Sequence, residues 1–274
     1  PSMNDDLGDR MKEYEMAEAG RRCMPRLPIL ARIDGRGFSK FTSDLERPYD
    51  RRLSDLMVET VKFLVRETNA VCGYTQSDEI SLCLYAAGPE SQVVFDGRIS
   101  KLTSVLAALT TVYFNRRLPE FLPPQYAERM PHFDARVWNV PNLDEAANTF
   151  LWREFDATKN SISMAARAHF SHKQIDGKHG GEMQAMLRDK GVEWSEYPSF
   201  FKRGTYIQRR KAVRRFSTDE LDKLPPRHAA HTNPDLVVER TDYVALDMPP
   251  LNTVKNRVEA LFEGAEPQVD PPQP

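Results

Sequence analysis

Apolar and polar positions follow two different periods along the first half of this 274-residue chain. The run Leu27, Pro28, Ile29, Leu30, Ala31 stops short of Asp34, and Ile80, Leu82, Cys83, Leu84 and Tyr85 follow Glu79. Short apolar runs bounded by glycine and polar residues predict sheet strands. Between them, Leu53, Leu56, Met57, Thr60, Val61, Leu64 and Val65 recur at helical spacing, predicting a helix over 49–68. Residues 71–75 and 80–85 flank the turn Gln76, Ser77, Asp78, Glu79 and predict a β-hairpin. A second helix is expected over 98–116, with Leu102, Val105, Leu106, Leu109, Val112 and Tyr113 on its apolar face, and a fourth strand over 133–140. The order is β-α-β-β-α-β, which predicts an antiparallel sheet with two helices on one face.

The second half is less regular. Residues 143–167 read as a helix with Asn142 as its cap, 177–181 as a flexible polar loop, and 182–190 as another helix. No internal repeat is visible. The expected fold class is α+β, divided into a catalytic core over 8–140, a mostly helical, basic extension over 141–262 completing the same unit, and a Pro-rich tail over 263–274 expected to be disordered.

Composition narrows the function classes. With 38 basic and 40 acidic residues the chain has no uniformly basic coat, so a nucleic-acid surface must be local. Lys202, Arg203, Arg209, Arg210, Lys211, Arg214 and Arg215 supply one, seven cations within fourteen positions and no acid, with Tyr206 and Phe216 as aromatic neighbours. Such a run suits an RNA backbone with bases stacked on the rings. Cys23, Cys72 and Cys83 are odd in number and lack metal-ligand spacing, and the latter two read as reduced core thiols, so a cytoplasmic setting is expected. No apolar run approaches the roughly 20 residues of a membrane span, no signal-peptide pattern is recognisable, and a membrane is not an expected partner. His169 and His172 stand three apart without further ligands, so no zinc site is expected.

The acids carry the chemistry. Asp34 ends one strand run and Asp78 with Glu79 forms the hairpin turn, and the predicted topology sets the first strand and the hairpin side by side in mid-sheet. Two carboxylates brought together there suit a hard divalent cation such as Mg²⁺, which uses few protein ligands and leaves positions for water and phosphate oxygens. Gly35 and Gly37 let the chain leave the strand tightly and bring backbone groups close to a phosphate or metal. Phosphoryl or nucleotidyl transfer with two metal ions is the expected chemistry.

The motifs Arg32 to Phe38, Gln76 to Glu79, Phe133 to Val137, Trp152-Arg153 with Asp156, and Phe201 to Thr205 occur in an order that resembles the tRNA-His guanylyltransferase family, and more closely its bacterial and archaeal guanylyltransferase-like branch. The likeness spans about residues 8–215. It implies a sheet like a polymerase palm and 3′-to-5′ nucleotide addition to RNA. By that resemblance Asp34 and Asp78 hold two Mg²⁺ ions with the Gly35 carbonyl as a further ligand, and Glu79 completes the catalytic acids. Arg32, Arg98, Lys101 and Arg136 hold the triphosphate, Arg98 and Lys101 from one helical face. Arg36, Gly37 and Phe38 join the nucleotide-binding set. Ser77 and Arg47 belong to the ATP-dependent activation site, Arg47 where the family has Lys. Asp156, Asn160, Lys202, Arg203, Arg209, Arg210 and Lys211 are the implied RNA contacts. ATP and GTP or other NTPs are the implied substrates, tRNA the implied partner and a homotetramer the implied assembly.

One departure bears on specificity. The eukaryotic branch has a His-Ile-Asn-Asn run tied to tRNA-His, and here its His position is Thr158 while only Asn160 matches. The resemblance therefore favours template-dependent repair of truncated tRNA 5′ ends, after ATP-dependent activation of a 5′-monophosphate. A tRNA-His guanylyltransferase proper, a nucleotidyl cyclase on the same palm-like sheet, and an RNA-binding module with a vestigial metal site are the competing readings.

Overall fold

The computed structural model describes residues 3–86, 88 and 93–270. After a first helix, α1 (Met3–Ala19), the chain runs β1 (Ile29–Arg36), the short α2 (Phe38–Phe41), α3 (Arg51–Thr68), β2 (Cys72–Gln76), β3 (Glu79–Leu84), α4 (Ile99–Phe121) and β4 (His132–Asn139). These four strands pair antiparallel in the order β4-β1-β3-β2, the arrangement expected from the β-α-β-β-α-β pattern. Helix α3 begins where Asp50 accepts a hydrogen bond from the Arg52 amide at 3.0 Å and ends at Asn69, whose φ of 53° takes the chain out of the helix. Its predicted apolar stripe is the buried one, from Leu56 to Val65. A Cβ on Gly73 would meet Val61 Cγ1 at 2.5 Å and Val65 Cγ2 at 2.8 Å, so a glycine is what allows α3 to lie this close to β2.

The stripe of α4 is displaced from the expected one. Leu102, Leu106, Thr110, Phe114 and Leu118 face the sheet, and Val112 is exposed. Apolar residues surround this helix on most sides, so periodicity alone did not choose the buried face. It also runs past the expected end, through Pro119 to Phe121.

Alternation along the strands divides the interior in two. Ile29, Ala31, Ile33, Ile80 and Leu82 point towards α3 and α4. Leu30, Cys72, Tyr74 and Cys83 point the other way, onto α5 (Leu143–His169), which packs Ala146, Ala147 and Phe150 against them. The sheet is therefore covered on both faces rather than one. Asn142 caps α5 as predicted, accepting from the Glu145 amide at 2.8 Å. All three cysteines are buried free thiols.

After α5 come the short helices α6 (His172–Ile175), α7 (Gly180–Asp189) and α8 (Ser199–Arg203). The expected mostly helical extension then requires correction. Residues Thr205–Arg215 form β5 and, beyond α9 (Thr218–Lys223), Val237–Leu246 form β6, which extend the sheet to six antiparallel strands. Cross-strand alternation let these polar segments pair as a ribbon whose outer half buries little, which is why hydrophobicity did not reveal it. The tail also differs from expectation. Lys255 donates its amide to Gln268 O at 2.8 Å, the Gln268 amide donates to Asn256 Oδ1 at 2.7 Å, and Val254 bridges Val269. Residues 264–270 thus fold back on 254–256, while 271–274 lie outside the described residues.

One buried acid ties α5 to the C-terminal part. Glu154 accepts from Tyr206 Oη at 2.7 Å and from the Leu251 amide at 2.8 Å. Burial pushes its carboxyl above the ordinary value of 4.5, and the two hydrogen bonds pull only partly back. The folded state therefore holds this proton more tightly than the unfolded chain. The stability contributed by the group is present at low pH and lost as pH rises from about 4.5 through the raised folded value. Glu154→Gln should flatten that stretch of the stability curve, measured by urea unfolding at stepped pH; an unaltered slope would refute the assignment.

Candidate active site

The register between β1 and its neighbours assembles the site. Asp34 pairs directly with Glu79 on β3 and with Asp134 on β4, so three acids meet at one end of the sheet. Arg32, two residues before Asp34 and on the same face, pairs with Arg136 across β4. Arg32 Nε donates to Asp34 Oδ2 at 3.0 Å and lies 3.2 Å from Glu79 Oε2, so a single guanidinium nitrogen bridges two carboxylates. Arg136 Nη2 stands 4.0 Å from both Asp34 and Asp134. It is mostly exposed, although Val137 and Trp138 beside it are apolar, because β4 is the edge strand.

Asp78 is held in the hairpin turn beside them. Its carbonyl accepts from the Gly35 amide at 3.0 Å, which ties the turn to the end of β1, and Ser77 before it has a φ of 51°. Burial, and secondarily the negative charge of Asp34, push the Asp78 carboxyl above its ordinary range. The Gly35–Asp78 backbone hydrogen bond sets the hairpin turn, 44 positions on from Asp34, beside the end of β1. Among the described residues no three His, Cys, Asp or Glu side chains are grouped to hold a metal. Two carboxylates with a nearby carbonyl, Gly35, form an all-oxygen donor set that leaves most positions to water and phosphate, which fits Mg²⁺ and not zinc.

Glu79 is engaged differently. Arg153 of α5 donates Nε to Oε1 at 2.7 Å and Nη2 to Oε2 at 2.8 Å, and the same Nη2 donates to Asp156 Oδ2 at 2.6 Å. Both Arg153 and Glu79 are buried. Burial pushes the Glu79 carboxyl up while Arg153 and Arg32 pull it down. Beside the hairpin opens a cleft, its walls including Tyr49, Asp50, Ser77, Asn160, Phe200 and Phe201.

Several implied site residues lie elsewhere. Arg36 and Gly37 are exposed at the end of β1, but the Phe38 side chain is 3% exposed, inside an aromatic cluster with Phe41, Phe114 and Phe133. It supports the loop from below and cannot present its ring to a nucleotide. Arg47 is exposed and donates to Thr42 O at 3.1 Å. Arg98 does not share a helical face with Lys101, for it is the extended residue just outside α4. The Cys23 amide donates to Gly97 O, and the next residue, Met24, donates its amide to Asn139, the register partner of Ile29. Arg98 and Lys101 thus sit towards the Ile29 end of β1, five residues or about 17 Å of strand from Asp34. Within one chain they do not join the acids.

The basic run is corrected on electrostatic grounds. Lys211 pairs with Glu239 at 3.3 Å, Arg210 with Glu266 at 3.7 Å and Arg214 with Glu220 at 2.8 Å, while Arg215 pairs with Asp235. Acids remote in sequence neutralise a stretch that has none of its own. Arg209 donates to Asn69 Oδ1 at 3.1 Å. The Lys202 ammonium donates to Ser195 O above the Trp194 ring, and burial lowers its pKa. Arg203 offers its carbonyl to Tyr74 Oη at 2.7 Å. Of the other implied RNA contacts, Asp156 is taken up by Arg153 and Asn160 is exposed at the cleft.

Sequence reading named neither Arg153 nor Asp134 as a site residue. Arg153 left a signal: it stands three after Phe150 and four before Ala157, on the core-facing stripe of α5, where a charge requires a buried partner. Asp134 left none, since only the register places it opposite Asp34.

Acids and arginines gathered at one end of an antiparallel sheet, beside a cleft, suit chemistry on phosphates, and the proteins this chain resembles are guanylyltransferases, enzymes of the nucleotidyltransferase class. The chain belongs to the tRNAHis guanylyltransferase (Thg1) family, whose model matches residues 8–141. A bacterial tRNA(His) guanylyltransferase (Thg1)-like protein solved in complex with ATP superposes with a TM-score of 0.76 at 31% identity, over 93% of this chain and 98% of that one. A bacterial Thg1-like structure in complex with GTP gives 0.69 at 30% identity, over 90% and 94%. The tRNA(His) guanylyltransferase of Schizosaccharomyces pombe is 29% identical over 209 residues, 71% of this chain and 77% of that protein.

Proposed function

We propose that the protein is a Mg²⁺-dependent 3′–5′ nucleotidyltransferase that extends the 5′ end of tRNA, in template-dependent repair of truncated ends, after ATP-dependent activation of the 5′-monophosphate. The observation that carries this reading is the hydrogen bond from the Gly35 amide to the Asp78 carbonyl, which joins the hairpin turn to the end of β1, where Arg32 and Arg136 lie beside Asp34. When bound there, Mg²⁺ would neutralise charge on phosphate oxygens and orient the attacking oxygen. Asp34, Asp78 and the Gly35 carbonyl would hold it.

The chain's own groups supply the rest. Arg136, exposed and only loosely paired, is free to turn its fork onto a phosphate. Arg32 orients the Asp34 carboxylate. Ser77 stands between the acids and the cleft, where its hydroxyl can reach an activating nucleotide. Each step is an in-line attack at phosphorus, so one site can serve both activation and addition. ATP and GTP as substrates accord with the two bacterial neighbours, solved in complex with ATP and with GTP. A homotetramer, from the family likeness, and a cytoplasmic setting, from three unpaired buried thiols, complete the proposal.

A second reading, guanylyltransferase acting on tRNA-His, is favoured by the activity named for the fungal relatives. One assay separates them: 5′-labelled tRNA-His and 5′-truncated tRNAs are offered each NTP with Mg²⁺ and products are resolved by length. Repair predicts addition only of nucleotides complementary to the 3′ strand, on several tRNAs. Addition of G to tRNA-His alone supports the second reading. A cyclic product from NTP without RNA would make the protein a cyclase, and salt-sensitive tRNA binding without incorporation would make it an RNA-binding module.

A further inference from the structure

One acid placed opposite Asp34 is withheld from any cation held there. Glu79 lies directly opposite Asp34 in the register, on the same face, and both carboxylates reach the same Arg32 nitrogen. The two are therefore within two hydrogen-bond lengths of each other. Left alone, Glu79 would supply a third carboxylate to any ion held by Asp34. Yet both of its oxygens are occupied by the Arg153 fork, whose own position is locked by Asp156 on one side and the Trp152 ring, 4.3 Å from the guanidinium carbon, on the other.

We propose that Arg153 is a positioning residue that keeps Glu79 out of the cation's coordination shell, so that the site holds its ions with two side-chain carboxylates and not three. This rests on the metal-binding reading above. The physical consequence concerns ion choice. Each added carboxylate raises affinity, and a flexible, ligand-rich cage favours Ca²⁺ over Mg²⁺, which retains water and demands a small octahedral shell. Two carboxylates leave a weak, open site that a nucleotide's phosphates complete. A third would create a tight site ready to trap Ca²⁺ without substrate. Arg153 thereby makes cation binding depend on the nucleotide.

The test measures Mn²⁺ affinity by electron paramagnetic resonance, with Ca²⁺ and Mg²⁺ competition, on the full chain without nucleotide. Asp34→Asn should lose affinity at least about tenfold, and Glu79→Gln should stay within about twofold of the parent. Arg153→Met, which frees Glu79, should bind Mn²⁺ several-fold more tightly and shift selectivity towards Ca²⁺. Adding Glu79→Gln to Arg153→Met should return both values to the parental ones. A merely structural Arg153 would lower affinity or leave it unchanged, and one acting only through its positive charge would raise affinity for all three ions alike, without the shift towards Ca²⁺; either result overturns the proposal.

The arms separate the two layers of the argument. If Asp34→Asn binds Mn²⁺ normally, the metal site itself is wrong. If Asp34→Asn loses affinity and Glu79→Gln loses as much, Glu79 is a ligand and the role of Arg153 is refuted. Should Arg153→Met fail to fold because a buried charge is left unpaired, the Glu79→Gln arm alone still decides, since it retains the side chain's shape and acceptor.

Discussion

Asp34→Asn is expected to reduce nucleotide addition to tRNA by at least about a thousandfold, equivalent to roughly 4 kcal/mol of transition-state stabilisation. The carboxylate is a quarter exposed and, among the described residues, takes its side-chain hydrogen bonds from Arg32, which retains Glu79 at 3.2 Å. An amide of the same shape can still accept from Arg32, so global stability should change by less than about 1 kcal/mol. What disappears is a negative oxygen at the point where a cation and a phosphate chain would be held, a contribution of several kcal/mol in metal-assisted transfer. Asp78→Asn should behave alike, for the Gly35 amide ties the backbone of Asp78 to the end of β1. Single-turnover extension of a labelled tRNA, with urea unfolding in parallel, gives both quantities. Ordinary rates from a folded Asp34→Asn protein would dismantle the site assignment.

The second large effect is on stability. Phe38→Ala should cost about 3–5 kcal/mol, within the usual range for removing a buried phenyl ring and a large part of the roughly 5–15 kcal/mol that holds a domain folded. The ring lies at 4.9 Å from Phe41, 5.8 Å from Phe114 and 5.1 Å from Phe133, centroid to centroid. It also explains Gly35: a Cβ there would come within 2.4 Å of the Phe38 ring, so the glycine is where β1 rides directly over the aromatic cluster. Gly35→Ala should therefore destabilise, and by much less once Phe38 is already Ala, because the clash has gone. Urea unfolding of the two single variants and the double measures that coupling. A Phe38→Ala protein of normal stability but weakened nucleotide binding would restore the ring to the ligand site and overturn this reading.

Legibility followed the range of the forces involved. The helix at 51–68, the hairpin and the strand order of the first four strands were readable because burial imposes a period on neighbouring residues. The strand pair β5–β6 was not, because its outward positions are charged and its pairing joins segments about thirty residues apart. The same distance misled the electrostatics, since the acids that neutralise Arg210, Lys211 and Arg214 come from other elements. Arg98 was placed by helical spacing it does not have, being outside the first turn of α4. Phe38 was assigned by its position in a motif, where its burial assigns it to the core.

What the chain's order of residues determined unaided was the alternation of strands and helices, and with it the neighbourhood of the β1 end and the hairpin turn, because a β-α-β-β-α-β order leaves the first strand and the hairpin side by side. What only the tertiary structure decided was the charge state of that neighbourhood. Glu79 looks from the sequence like a partner of Asp34, yet α5 brings Arg153 across the sheet to take up both its oxygens. Local periodicity records which residues avoid water. Which ion pairs with which depends on contacts between segments that no local pattern encodes.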